Sequence, residues 1–219
     1  MRELPAGDDA VVLDFSSAAD PTAPGRAAQA LRSAADRGML RISDAVPTAS
    51  SVLVQAEPGT GLDVLAVRRV LRDLPPPGPD NDAATVTALI VPVTYDGADL
   101  DELAALVGRT ADDVVAAHTA IEWRVQFMGF APGFGYLVPA AGPESARSLF
   151  TGLRRREQSR PAVPAGAVAA AAGYSAVYPR ISPGGWFLLG RTDLDMWNVD
   201  ATPPALLSAG RTVRFECAD

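Results

Sequence analysis

The stretch from Phe127 to Arg191 constrains this chain most, because its glycines and prolines fall where a plain strand or helix would not accept them. Glycine permits positive φ and close backbone approach, whereas proline fixes φ and removes a hydrogen-bond donor. Aromatic side chains and arginines lie directly beside these residues. The pattern predicts a shaped pocket that accepts an anion. Ordinary turns around a barrel core would have a similar pattern of glycine and proline, so that alternative stays open.

The length of 219 residues allows one large domain or two small ones. We expect no membrane span, since no apolar run reaches about 18 residues, and the N-terminus lacks the blocks of a signal peptide. The single cysteine, Cys217, cannot form an internal disulfide, which favours a cytoplasmic location. A net charge of −7 argues against nucleic acid and anionic membranes as partners.

The chain contains no lysine, because all 19 basic residues are arginines. This excludes a Walker-type phosphate loop, a Schiff-base lysine and a lysine general base. With one histidine and one cysteine, a zinc site of the usual type is not expected, and no metal is predicted. Chemistry therefore falls to arginines, carboxylates, hydroxyls, backbone groups or the single His118.

The first 74 residues predict a small α+β domain with helices on one face of an antiparallel sheet. The expected elements, in the order strand, helix, strand, strand and helix, are Val11–Phe15, Ala23–Ala35, Leu40–Val46, Ser51–Gln55 and a helix capped by Thr60. A proline-rich linker follows at residues 75–84. We therefore expect one domain at residues 1–84 and a second at 85–219.

The second domain is predicted to be mainly β, a barrel or sandwich with short strands between glycine- and proline-rich turns. It begins with an apolar strand, Thr85–Tyr95, that we expect to be central. The acidic stretch Asp96–His118 forms two short helices, the second capped by Thr110, and its carboxylates are expected to be solvated. His118 lies near the C-terminus of that helix, where the dipole favours its protonated form. Glu122–Met128 is predicted to be a strand.

A series of ordered motifs fills the rest of the chain. They are Gly129-Phe130-Ala131-Pro132-Gly133-Phe134-Gly135-Tyr136-Leu137, Arg155-Arg156, Arg160, Val163-Pro164-Ala165-Gly166, Val177-Tyr178-Pro179 and Ser182-Pro183-Gly184-Gly185-Trp186 with Gly190-Arg191-Thr192. Together they resemble the family variously called allophanate hydrolase subunit 1, the B-type subunit of 5-oxoprolinase and the sporulation-kinase inhibitor family. The resemblance covers roughly residues 85–216 and is looser in the N-terminal half.

The resemblance implies an α+β N-terminal domain followed by a mainly-β, cyclophilin-like barrel. Together with its partner subunit, this barrel would resemble the carboxyltransferase portion of urea carboxylase. It implies one subunit of a multi-subunit, ATP-dependent 5-oxoprolinase, a hydrolase that opens a cyclic amide to give glutamate. Its partners would be a homologous barrel protein, the C-type subunit, and a third, A-type subunit, which would complete ATP binding. An allophanate hydrolase or urea carboxylase-type carboxyltransferase subunit, and a protein inhibitor of a histidine kinase, stay open as alternatives.

Four arginines in seven residues are the most informative local feature of this acidic chain. Guanidinium forks match carboxylate or phosphate, although a solvated loop or a docking patch for an acidic partner is also possible. The candidate catalytic residues are His118, Arg155, Arg156 and Arg191. The candidate substrate-binding residues are Phe134, Tyr136, Arg160, Ser182 and Gly184. Phe130 and Trp186 could also form part of the wall of this site. The competing interpretation is a structural histidine and packing of the aromatic rings in a barrel core.

Two weaker signals complete the sequence. Gly59-Thr60-Gly61 could bind a phosphate at a helix start, but two glycines alone are a weak signal, and a helix entry is the preferred interpretation. Tyr174-Ser175-Ala176 stands where the family has a Gln-Thr-Gly segment, and the alanine predicts an altered backbone approach. The same segment imitates a nucleophile elbow but lacks its final glycine, which argues against a serine hydrolase.

Overall fold

The computed structural model describes residues 1–74 and 87–218. The chain separates into two compact units, Met1–Asn81 and Asp82–Asp219. The linker predicted at residues 75–84, and the domain boundary placed at its end, lie outside the described residues. Each unit is built around its own apolar core.

The first unit is a four-stranded antiparallel sheet in the order β1-β2-β4-β3 with two helices packed on one face. Its elements are β1 Arg2–Pro5, β2 Ala10–Asp14, α1 Ala23–Asp36, β3 Asp44–Pro47, β4 Ser51–Gln55 and α2 Val64–Arg72. Alternating residues of β2 and β4 face the helices, as period-two patterning requires. The helices on one face agree with the sequence expectation, and β1 is an additional strand whose four residues are too few to carry a pattern.

The start of α2 differs from the prediction. Asp63, and not Thr60, caps the helix, since its carboxylate accepts a hydrogen bond from the Ala66 amide at 2.9 Å. The amides of Gly59 and Gly61 donate to the Asp9 carboxylate at 2.7 and 2.8 Å. These two bonds lower the pKa of Asp9. The glycine loop thus already holds an anion, which is a side chain of the same unit.

The second unit contains a seven-stranded mixed sheet in the order β12-β9-β10-β7-β6-β13-β5, and a separate two-stranded sheet of β8 and β11. Its strands are β5 Leu89–Val93, β6 Glu122–Met128, β7 Gly135–Ala141, β8 Arg160–Val163, β9 Ala167–Ala171, β10 Tyr174–Val177, β11 Ser182–Gly184, β12 Phe187–Arg191 and β13 Thr212–Cys217. Its helices are α3 Leu100–Leu106, α4 Ala111–Thr119 and α5 Glu144–Thr151. The β6 strand and both predicted acidic helices are confirmed.

The seven-stranded sheet nearly closes into a barrel. Its two outermost strands, β12 and β5, meet where Thr94 and Arg191 exchange two backbone hydrogen bonds of 2.9 Å. Along its length β5 pairs only with β13, in parallel, so the expectation of a central strand here is wrong. Val91 and Val93 are buried whereas Ile90 is 40% exposed, so β5 has one buried face and one solvent face although its sequence is apolar throughout.

Alternating residues give this sheet two different faces. The inner face carries one core cluster to which all seven strands contribute, together with residues of α3, α4 and α5. The outer face carries a second cluster drawn from β7, β9, β10 and β12 and covered in part by Val163 of β8. Ser175 and Val177 point inward, whereas Tyr174 and Tyr178 belong to the outer cluster. Both faces therefore hold residues that the sequence marked as candidates.

Candidate functional site

His118 is built into the inner core. The capping box of Thr110 and Asp113 fixes the start of α4, and His118 in its last turn is 0% exposed. The Tyr95 hydroxyl lies 2.7 Å from Nδ1, and the Ser175 Oγ lies 2.9 Å from Nε2. Ser175 donates to the Ala169 carbonyl at 3.3 Å. It therefore accepts from Nε2–H, while Nδ1 accepts from Tyr95, and a neutral ring satisfies every partner.

Burial lowers the pKa of His118 to about 3. The expectation that the helix dipole favours a protonated ring is thus wrong, because removing the charged ring from water outweighs the dipole. The Phe215 ring stacks at 4.4 Å and the Trp123 ring lies at 5.1 Å between centroids. These are the surroundings of a core histidine, and they keep it away from any ligand at the surface.

The loop from Asp96 to Asp99 gathers three of the predicted arginines. It lies directly against β12, since a Cβ on Gly97 would meet the backbone of Leu188 and Leu189. Asp96 Oδ2 accepts a hydrogen bond from Arg191 Nε at 2.9 Å. At the other end of the loop, Asp99 Oδ1 pairs with both Arg156 and Arg160.

Asp99 is the residue that sequence reasoning missed. Its side chain is almost completely buried, and its second oxygen accepts a hydrogen bond from the Leu188 amide at 2.8 Å. It therefore joins the start of α3, the arginine segment and β12. The expectation that this acidic stretch is wholly solvated is wrong at Asp99. The signal was present, because an acidic stretch and four arginines within seven residues occur in the same chain and can form ion pairs with each other.

The arginines consequently divide into engaged and unengaged groups. Arg156 pairs with Asp99 at 3.4 Å and with Glu102 at 3.2 Å, and Arg160 is held by Asp99. Arg155 is exposed and forms no ion pair within the part of the chain that the structure describes. Among the four candidate arginines, Arg155, Arg156, Arg160 and Arg191, the one without a carboxylate partner is therefore Arg155.

Arg155 lies beside the outer aromatic cluster. Burial raises the pKa of Tyr136 and of Tyr178, and the nearby Arg155 charge opposes the rise in both. The rings of the cluster touch each other at centroid distances between 4.3 and 6.4 Å, and they belong to Phe127, Phe134, Tyr136, Tyr174, Tyr178 and Trp186. Tyr136 and Tyr174 are half-buried, so part of each side chain faces solvent.

Most of the other predicted aromatic residues are core. Phe134 is 2% exposed and Trp186 is 5% exposed, which agrees with the packing alternative, whereas Phe130 is 58% exposed. Ser182 in β11 is buried, and its Oγ has no hydrogen-bond partner among the described residues. Gly184 lies next to the Tyr178 hydroxyl, so any larger residue would displace that ring.

The Tyr174-Ser175-Ala176 segment forms β10 without needing glycine. Ala176 pairs in register with Ala169 of β9 and is completely buried. Tyr174 donates its hydroxyl proton to Gln126 at 3.0 Å. Ser175 is the hydrogen-bond partner of His118 and, at 0% exposure, is no nucleophile at the surface.

Two negative findings concern only the described ranges, 1–74 and 87–218. No helix there has the length and apolar character needed to cross a membrane. No group of three or more histidine, cysteine or acidic side chains there could hold a metal ion.

Comparison with known proteins places this architecture. Residues 1–207 match the family model for the carboxyltransferase domain, subdomain C and D. The 5-oxoprolinase B subunit of Bacillus subtilis (strain 168) is 39% identical over 128 residues, which are 57% of this chain and 50% of the relative. The chain thus spans about half the length of this curated relative.

Solved structures show the same fold. The protein TTHA0988 is 32% identical with a TM-score of 0.76, over 96% of this chain and 40% of that one. The urea amidolyase of K. lactis, at 16% identity and a TM-score of 0.67, covers 99% of this chain and 15% of its own, and it shares the fold alone. The chain therefore belongs to the carboxyltransferase-domain family of subdomains C and D, which confirms the family resemblance of its motifs.

Proposed function

We propose that this chain is one subunit of a multi-subunit, ATP-dependent 5-oxoprolinase, which converts 5-oxo-L-proline, ATP and water to L-glutamate. The observation that carries the proposal is the 39% identity over 128 residues to a B subunit of 5-oxoprolinase. The complex would be cytoplasmic, with a homologous barrel protein, the C-type subunit, and an A-type subunit as partners. The two units would be a domain at 1–84 and a cyclophilin-like barrel at 85–219.

The substrate site is proposed at the outer aromatic face. 5-Oxoproline is a small flat ring with one carboxylate, so it needs an apolar wall and a guanidinium fork. Tyr136 and Tyr174 supply half-exposed rings, and Arg155 supplies an exposed charge beside them. Arg155 would bind the carboxylate and thereby orient the amide bond toward the other subunits.

The remaining predicted residues take supporting roles in this proposal. Arg156 and Arg160 are held by Asp99, and Arg191 is held by Asp96. They fix the segment that carries Arg155 and the edge of β12. Phe134 packs edge-on against Tyr136, with 5.0 Å between the ring centroids, and so helps to hold that tyrosine in place. His118 stays outside the site because it is fully buried.

ATP would be bound mainly by the partner subunits. The Gly59-Thr60-Gly61 loop resembles a phosphate site, but the amides of Gly59 and Gly61 already donate hydrogen bonds to the Asp9 carboxylate. A phosphate would have to displace that carboxylate, so the loop does not fit ATP. Activation of the amide by ATP is therefore assigned to surfaces that other subunits complete.

The test is reconstitution of the complex. This chain would be co-expressed with the candidate C-type and A-type subunits, and glutamate release from 5-oxoproline and ATP would be measured with and without it. We expect release only when all three are present. Undiminished release without this chain contradicts the proposal. Turnover of allophanate, or inhibition of histidine-kinase autophosphorylation by the chain alone, would support the alternatives instead.

A further inference from the structure

The loop between β6 and β7 holds one large apolar side chain out in solvent. Three backbone hydrogen bonds close this loop, from Gly129 to Phe134, from Ala131 to Gly129 and from Phe134 to Ala131. Its far side is fixed as well, because a Cβ on Gly133 would lie 2.7 Å from the Met196 carbonyl oxygen. Phe130 at the tip is 58% exposed. The loop is thus rigidly built, although its most prominent side chain has little to pack against.

The backbone of Phe130 is strained. Its φ is +68°, in the left-handed region that bulky side chains rarely adopt. Glycine would occupy this position without that cost, and an exposed phenyl ring gives little compensation within the isolated chain. Its ring meets Phe134 and Tyr178 only by edge contacts, at 5.1 and 6.3 Å between centroids. Because the backbone of Phe130 stays strained while its aromatic side chain is exposed, we expect the ring to take part in an interaction outside this chain.

An exposed arginine and an exposed isoleucine follow closely in the chain after Tyr178, whose ring contacts Phe130. Tyr178 contacts Phe130 and is followed, three residues on, by Ile181, which is 71% exposed. Arg180 between them is exposed and forms no ion pair with any described residue. Arg155 is also near Tyr178, because its charge acts on that hydroxyl. We call Phe130, Arg180 and Ile181 the Phe130 patch.

We propose that the Phe130 patch is the docking surface for a different protein chain, one that presents an apolar pocket edged by carboxylates. The proposal rests on the subunit function proposed above. The patch combines an aromatic anchor, an aliphatic neighbour and an arginine, and aromatic residues and arginine are enriched at interface hot spots. Its positive charge stands out on a chain of net charge −7 and so selects an acidic surface.

A second copy of this chain does not fit the patch. A two-fold contact would place the basic patch of one copy against that of the other, and like charges disfavour such a contact. Lengths agree with a different occupant, because this fold accounts for 40% of the TTHA0988 chain, where additional polypeptide accompanies it. We commit to the homologous barrel partner of the proposed function, the C-type subunit, as the occupant.

The experiment measures binding of the full chain to that C-type subunit by calorimetry. Phe130→Gly is expected to weaken binding by about 30-fold or more, and Ile181→Ser by a smaller factor. Arg180→Gln is expected to weaken the dependence of binding on salt. The matched control is Leu65→Ser, which removes a side chain that is 64% exposed in the first unit and is expected to change nothing.

Thermal unfolding of the same variants separates docking from a structural role. Because glycine relieves the strained φ, Phe130→Gly is expected to leave the melting temperature unchanged or to raise it. Weakened binding together with unchanged or raised stability supports docking. A lowered melting temperature with unchanged binding overturns it and makes Phe130 a structural residue.

The remaining outcomes separate this inference from the proposed function. If the complex forms and releases glutamate while Phe130→Gly binds as tightly as the wild type, the patch is not the interface, and the subunit function stands. If the wild-type chain does not bind the partner and is dispensable for glutamate release, both proposals fail. If the chain instead self-associates through the patch, the occupant is a second copy, which overturns the assignment to a different chain.

Discussion

The inner and outer faces of the seven-stranded sheet carry similar polar and aromatic side chains but differ in whether those side chains already have hydrogen-bond or ion-pair partners. On the inner face, Tyr95, His118 and Ser175 form a closed chain of hydrogen bonds in which each polar atom has a partner. On the outer face, Tyr136 and Tyr174 are half-buried, and Tyr136 lies near Arg155, which has no carboxylate partner among the described residues. The difference teaches that residue type alone does not mark a site, whereas unused binding capacity does.

Asp99 sharpens the comparison, because it is an inner-type residue directly under the arginine segment. Replacing it by alanine leaves Arg156 and Arg160 partly buried without their shared carboxylate. We expect a loss of about 3–5 kcal/mol in the free energy of unfolding, measured by urea denaturation. Asp101→Ala, on the exposed side of α3, is the control and should lie within about 0.5 kcal/mol of the wild type. Equal effects of the two would contradict the role of Asp99.

His118→Ala tests the inner face itself. The variant leaves a cavity and removes the partner of the Tyr95 and Ser175 hydroxyls, so we expect a loss of about 2–4 kcal/mol. Ser175→Ala, which removes one hydroxyl, should cost about 1–2 kcal/mol. Glutamate release per folded complex should be unchanged in both. A large drop in turnover with intact stability would return His118 to the list of catalytic residues.

The inner face also predicts a pH dependence of stability. The pKa of His118 is about 3 in the folded chain and about 6.5 when unfolded. The folded state therefore binds fewer protons, and stability is fully present above about pH 6.5 and declines as the pH falls toward about 3. The slope should approach about 1.4 kcal/mol per pH unit from this group. Denaturation between about pH 5 and 7 measures it, and His118→Gln should flatten the slope there.

The smallest effect on stability is expected at the outer face. Arg155→Ala should change the free energy of unfolding by no more than about 0.5 kcal/mol. In the reconstituted complex it should lower kcat/KM for 5-oxoproline roughly 10- to 100-fold, the loss of one charge-assisted contact. Arg154→Ala, its exposed neighbour, is the matched control. Equal kinetics for the two variants would remove Arg155 from the proposed site.

Much of the fold could be predicted from local pattern, and the limits have physical causes. The Thr110 and Asp113 capping box and the strand Glu122–Met128 are written in consecutive residues, so both were found. Closure of the barrel, the parallel pairing of β5 and the cap at Asp63 depend on segments or geometry that local periodicity does not contain. The expectation for the arginines named the right segment but not its partners.

The site was harder to predict because burial decides what a side chain can do. His118 is conspicuous as the single histidine, yet its position in the core determines its protonation. Asp99 looked like one of six carboxylates in an acidic stretch, and only the packing of its loop against β12 singles it out. Phe130 could be core or wall by sequence, and the positive φ that sets it apart is visible only in the folded backbone.

The pairing of Thr94 with Arg191, which closes the sheet between β5 and β12, determines where the barrel can open locally. Within the described chain, the Thr94 and Arg191 bridge and two further backbone bonds, from the Gly97 and Asp99 amides to the Leu189 and Leu188 carbonyls, join the two ends of the sheet, so the cylinder can part here without breaking a continuous strand ladder. Tyr95 comes next in the chain and holds the imidazole of His118. Deuterium uptake at the amides of Thr94 and Arg191 would therefore run ahead of the other strands, and each such opening would loosen the buried histidine from one end.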